Sequence, residues 1–122
     1  MHRSRLGEIT IDCNQDDLDS AAQFWSAVFG YEARRSENYY CLNAPPAEVQ
    51  INIQSVTHPP RVHLDIETDD IEAEVSRLEA LGAKRVSKER RWWVMEAPTG
   101  HRFCVVKIAR ENFDAQATAW ES

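Results

Sequence analysis

Side chains that can move a proton or hold a cation recur at alternate positions along three apolar runs of this chain. Glu8, Thr10 and Asp12 alternate with Ile9, Ile11 and Cys13. Gln50, Asn52 and Gln54 alternate with Val49, Ile51 and Ile53. His63, Asp65 and Glu67 alternate with Val62, Leu64 and Ile66. Neutral imidazole accepts protons near pH 7, so His63 is a candidate general base, with Asp65 or Glu8 as the carboxylate that orients it.

Period two requires these runs to be strands, each with one apolar and one polar face. The chain also repeats itself. Thr10-Ile11-Asp12-Cys13 is followed by Asp17-Leu18, an amphipathic stretch and Gly30. His63-Leu64-Asp65-Ile66 is followed by Asp70-Ile71, an amphipathic stretch and Gly82. Such duplication points to a pseudo-symmetric domain with any ligand site where the halves meet.

Leu18, Ala21, Ala22, Trp25, Val28 and Phe29 recur at helical spacing, which predicts a helix with one apolar stripe. Asp16 or Asp17 caps its start, and Gly30 suits the left-handed position after its end. A second helix carries Ile71, Val75, Leu78 and Leu81 on one face, with Asp69 and Glu72 spaced as a capping box and Gly82 closing it. Further strands are predicted over 31–35, 39–43 and 49–54 in the first half and over 84–88, 92–95 and 103–107 in the second. Pro45-Pro46 makes a turn, and His58-Pro59-Pro60 divides the halves. Each half then reads βαβββ: module one spans about 6–56, module two about 61–107, and 108–122 is a tail of weak helical character with Phe113 and Trp120 as docking points.

Composition narrows the function classes. A chain of 122 residues with 43% apolar content is one soluble globular domain able to bury a core without staples. A net charge of −6 argues against nucleic acid, and no apolar run is long enough to span a bilayer. Cys13, Cys41 and Cys104 are odd in number and widely spaced, which predicts neither a disulfide framework nor a zinc finger, and fits a cytoplasmic location.

Val62-His63-Leu64-Asp65-Ile66, Asp70-Ile71, Leu81-Gly82 and the run from Trp93 through Pro98-Thr99-Gly100-His101 to Val106 resemble the vicinal oxygen chelate superfamily, and within it the glyoxalase-like and bleomycin-resistance-like proteins. Phe24-Trp25 and Phe29-Gly30-Tyr31 match the first helix and its exit, so the resemblance covers roughly residues 6–107. It implies an α+β fold of two βαβββ modules whose sheets curl into a shared cup. It also implies a divalent metal held there by residues of the first and last strands of each module. The aligned positions are Glu8 or Thr10, then Gln54, His63 and Cys104. The internal repeat favours Thr10, and the family's spacing favours Glu8.

Only His63 is the expected ligand type. Glu8 and a Cys104 thiolate are able to join it in an altered metal set, while Gln54 is a weak neutral ligand. Cys104 also reads as a small buried hydrophobe. The primary expectation is therefore a small-molecule-binding protein without the usual complete metal set, which sequesters a drug-like compound or binds a metabolite. Its binding residues are Thr10, Gln54, His63, Asp65, Trp93 and Cys104. Trp93 and Met95 share one strand face, and Trp92 and Val94 the other. The alternatives are a lyase, isomerase or dioxygenase that uses an atypical metal site or His63 and Glu8 without metal, and a dimerising module with a vestigial cup. The resemblance further implies a homodimer.

Overall fold

The computed structural model describes residues 1–121. The chain divides into two compact units, Glu8–His63 and Met1–Gly7 together with the chain from Leu64 onward. The division falls inside two strands, β1 (His2–Cys13) and β5 (Arg61–Thr68).

The first unit holds the later part of β1, then α1 (Leu18–Phe29), β2 (Ala33–Arg35), β3 (Tyr39–Leu42) and β4 (Gln50–Ser55). Its strands lie in the order β2-β3-β4-β1, with β1 and β4 parallel and the other pairs antiparallel. The predicted alternation sets the faces. Ile11, Cys13, Ile51, Ile53 and Leu42 bury with Leu18 and Ala21 of α1. Asp17 caps the helix by accepting from Ser20 N, and Gly30 ends it at φ 74°, where a side chain would be strained. The apolar stripe is buried only as far as Leu18, Ala21 and Ala22. Val28 and Phe29 are 53% and 40% exposed. There the aromatic rings pack on one another, Trp25 on Phe29 and Phe29 on Tyr31.

The second unit holds β5 from Leu64 onward, α2 (Ile71–Ala80), β6 (Lys84–Glu89), β7 (Trp92–Glu96), β8 (Arg102–Lys107), α3 (Phe113–Gln116) and β9 (Thr118–Trp120). Strands follow the order β5-β8-β7-β6, with β5 and β8 parallel. Val75 of α2 packs on Met95 and Val105, flanked by Trp93 and Phe103. The fold is α+β, and each unit carries one long helix, α1 or α2, against its own strands.

Two local expectations change. Asp70, not Asp69, caps α2 by accepting from Ala73 N. Asp69 instead accepts from the backbone and side chain of Arg3. The tail is only briefly helical: α3 has four residues, and β9 then pairs antiparallel with His2–Ser4 of β1. Phe113 is buried beneath the Arg3 and Arg5 guanidinium groups, at 5.4 and 5.2 Å from its ring centre. Trp120 lies under Arg77 at 3.8 Å and donates to Ser4 Oγ.

The first residues of β1 reverse the usual burial. Leu6 is 43% exposed, while His2, Ser4 and Arg5 are buried. Their partners explain this. Arg5 bonds Glu67 and His2 bonds Glu74, and both carboxylates are fully buried. The second Glu67 oxygen accepts from Ala109 N. A Cβ at Gly7 would sit 2.3 Å from Glu67 Cγ, so only glycine fits there.

Burial pushes the Glu74 carboxyl up. Hydrogen bonds from Arg77, His2 and Ser4, with the Arg77 charge, outweigh it and hold Glu74 below the usual carboxylate range. A depressed folded value contributes stability above the unfolded value that is lost as pH falls through the folded one. Wild-type stability should therefore decline on acidification below about pH 4.5, and Glu74→Gln should flatten part of that decline in urea titrations across pH. An unchanged acid limb would contradict the assignment. Gly7→Ala should destabilise by about 1–3 kcal/mol, read from the same titrations at pH 7.

Candidate active site

The face of the first unit opposite α1 is polar because alternation leaves it nothing else. Register sets Glu8 beside Gln50, Thr10 beside Asn52 and Asp12 beside Gln54. Tyr39 and Cys41 continue the rows onto β3. Thr10 and Asp12 are 3% and 2% exposed.

Asp12 is the centre of this face. Gln54 Nε2 donates to its Oδ1 at 3.0 Å, and His63 Nδ1 lies 2.9 Å from its Oδ2. His58 Nε2 and Arg61 Nε stand 3.8 and 3.9 Å from the same Oδ2. A buried carboxylate persists only with such compensation. Because an ionised carboxylate can only accept, the His63 proton sits on Nδ1 and the ring's lone pair on Nε2. The structure thus supplies an imidazole of fixed tautomer, backed by a buried anion.

Glu8 accepts a short hydrogen bond from Asn52 Nδ2. The amide orientation is set by that bond, since the opposite flip would put two acceptors together. It leaves Asn52 Oδ1 buried without a hydrogen-bonding partner.

The remaining sequence candidates lie in the second unit. Asp65 is buried and pairs in register with buried Cys104 across β5 and β8. Trp93, expected to line a ligand wall, instead packs in the α2-side core with Met95 and Val105. Arg85 and Lys88 stand over its ring at 5.0 and 6.0 Å. Val94 is the β7 residue in register with Cys104, so Trp92, two positions from it, shares that face.

Of the altered metal set, Glu8 and His63 lie in the first unit and Cys104 in the second. Within the first unit Glu8 and Asp12 are each engaged by a neighbouring side chain. Glu8 is engaged by Asn52, and a cation at Asp12 would meet the Arg61 guanidinium.

Residues 8–106 match the model of the glyoxalase-like domain family. The chain belongs to that family. A search of curated proteins finds no match. Among solved structures, methylmalonyl-CoA epimerase from Mycobacterium tuberculosis is 18% identical, with a TM-score of 0.67 over 87% of this chain and 89% of that one. The Streptomyces coelicolor epimerase, in complex with 2-nitronate-propionyl-CoA, is 19% identical, with a TM-score of 0.63 over 87% and 98%. Homoprotocatechuate 2,3-dioxygenase from B. fuscum is 13% identical, with a TM-score of 0.59 over 87% of this chain and 32% of the dioxygenase. These likenesses establish the vicinal oxygen chelate fold.

In this glyoxalase-like chain the sequence offers His63 as a candidate with Asp65 or Glu8 behind it, whereas the structure sets Asp12 on its Nδ1. Asp12 was visible as a member of the Glu8 and Thr10 row, yet nothing in its spacing tied it to His63. His58 reads in the sequence only as part of the proline break between the halves. It lies outside the alternating strand, and Arg61 stands at the strand's first position, two residues before His63.

The thiols on these strands are not activated. Burial pushes the Cys41 thiol up, and the Glu8 charge adds to this against the opposing effects of Arg34 and Tyr39. Burial and the Asp12 charge push Cys13 up likewise. Since the thiolate is the reactive form, iodoacetamide at pH 7.5 should label Cys13 and Cys41 more slowly in the native protein than in urea, by peptide mass spectrometry. Equal rates in both states would contradict this reading.

Proposed function

We propose that this glyoxalase-like protein binds a small organic molecule and moves a proton on it, His63 Nε2 acting as general base and Asp12 holding the ring. The carrying observation is the 2.9 Å contact between His63 Nδ1 and a carboxylate that is 2% exposed. A ligand-sequestering site has no need of a histidine whose tautomer is fixed by a buried anion. A proton-transfer site does, because the acceptor nitrogen must be unprotonated and aimed.

The step is simple. A substrate C–H or O–H presented to Nε2 loses its proton to the ring, which becomes imidazolium. Asp12 then faces a full positive charge and stabilises it electrostatically, as a buried carboxylate does behind a catalytic histidine. Return of the proton to the same or a neighbouring atom completes an isomerisation; departure of a leaving group completes an elimination. Thr10, Gln54 and Asn52 line the polar face on which the substrate would lie. The epimerases among the similar structures fit this reaction class.

The test requires no prior substrate. A small-molecule extract incubated with the protein in D₂O is surveyed by mass spectrometry for compounds that gain deuterium at carbon. The proposal predicts at least one compound labelled by the wild type, slowed about 10²–10⁴-fold by His63→Gln and by Asp12→Asn. Labelling that persists in His63→Gln, or no protein-dependent labelling, would contradict it.

A further inference from the structure

The surroundings of Asp12 contain more basic capacity than the dyad uses. Arg61 is half-exposed, its Nε 3.9 Å from Asp12 Oδ2, beyond hydrogen-bonding distance. Among the described residues its guanidinium makes no hydrogen bond. By contrast, Arg3, Arg5, Arg77, Arg85 and Arg102 each donate to a carboxylate. His58, across the Pro59-Pro60 corner, is one-third exposed. Its Nδ1 is 2.8 Å from the Pro59 carbonyl oxygen and therefore carries a proton. The two proline rings restrict the backbone between the basic side chains. One buried carboxylate thus faces Arg61, His58 and His63, in a chain whose net charge is −6. Such a chain repels anions unless a local cation receives them.

A second, independent observation lies further along the same face. Asn52 Oδ1 is buried and accepts from nothing. Buried acceptors are nearly always satisfied, so an orphan beside a polar face marks a missing donor. Asn52 pairs with Thr10, two residues along β1 from Asp12, a separation of about 7 Å.

We infer that the ligand is a small hydroxylated acid, its anionic group held by Arg61 and one hydroxyl donating to Asn52 Oδ1. Arginine's planar fork of donors matches a carboxylate or phosphate. The hydroxyl supplies the donor that Asn52 lacks, and the reacting C–H then falls between the two anchors, alongside His63. This substrate class rests on the proposed use of the polar face as the binding surface.

Three six-carbon probes separate the requirements: gluconate has both features, hexanoate only the charge, and sorbitol only the hydroxyls. Binding is followed by backbone amide shifts of the ¹⁵N-labelled protein. Gluconate should bind at least tenfold more tightly than either of the others, with shifts centred on β1, β4 and residues 58–63. Arg61→Gln should weaken gluconate at least tenfold and leave sorbitol unchanged. Asn52→Ala should bring gluconate to the level of hexanoate and leave hexanoate unchanged, which also shows that the variant is folded. Equal affinities for gluconate and sorbitol, equal affinities for gluconate and hexanoate, or no binding of any probe would overturn the inference. If it fails while His63-dependent deuterium labelling persists, only the substrate class is wrong. If both fail, the site itself is wrong.

Discussion

The ionised carboxylate of Asp12, withdrawn from water on a strand face, is the constraint around which the first unit is arranged. Such a group is tolerated only when hydrogen bonds and opposite charges replace its hydration. Gln54 reaches it because β1 and β4 pair in parallel with these two residues in register. His63 reaches it from the start of β5. Loss of either partner removes a hydrogen bond to a buried charge, at a cost on the order of 1.5–3 kcal/mol. The same requirement fixes the imidazole tautomer. The arrangement that keeps the strand face stable thus also holds the ring for the proton transfer proposed above.

The second unit buries carboxylates too, with a different outcome. Both Glu67 oxygens are taken, one by the Arg5 guanidinium and one by the Ala109 backbone amide. Glu74 is clasped bidentately by Arg77, with His2 on one oxygen. Guanidinium and amide partners do not titrate near neutrality, so the Glu67 pair is structural. It ties β1 to the C-terminal segment, helped by Arg5 contacts to Gln116 and the Arg110 carbonyl. Asp12 differs from Glu67 and Glu74 in having, among the described residues, no guanidinium within hydrogen-bonding distance: its nearest partners are the His63 ring and the Gln54 amide.

Much of the fold was legible, for reasons that can be traced to particular residues. Alternation along β1, β4 and β5 predicted which side chains share a face, and the duplicated Asp17 and Asp70 marked both helix caps. The Asp69–Glu72 spacing misled because a local motif competed with the repeat, and the repeat was right. The first residues of β1 were illegible. Their buried members are His2, Ser4 and Arg5, whose partners lie more than 60 residues away in sequence. The site was half legible. Periodicity located Thr10, Asn52, Gln54 and His63, but a hydrogen bond between residues 51 positions apart leaves no periodic trace. Trp93 shows the limit of parity reasoning: alternation separated it from Trp92 without saying which face lies beneath α2.

The central claim concerns where one proton sits. Long-range ¹H–¹⁵N correlation spectra of the neutral His63 ring distinguish its two tautomers directly. The account predicts a protonated Nδ1 and an unprotonated Nε2, with that preference lost in Asp12→Asn. A wild-type ring protonated at Nε2, its Nδ1 lone pair facing Asp12, would contradict it.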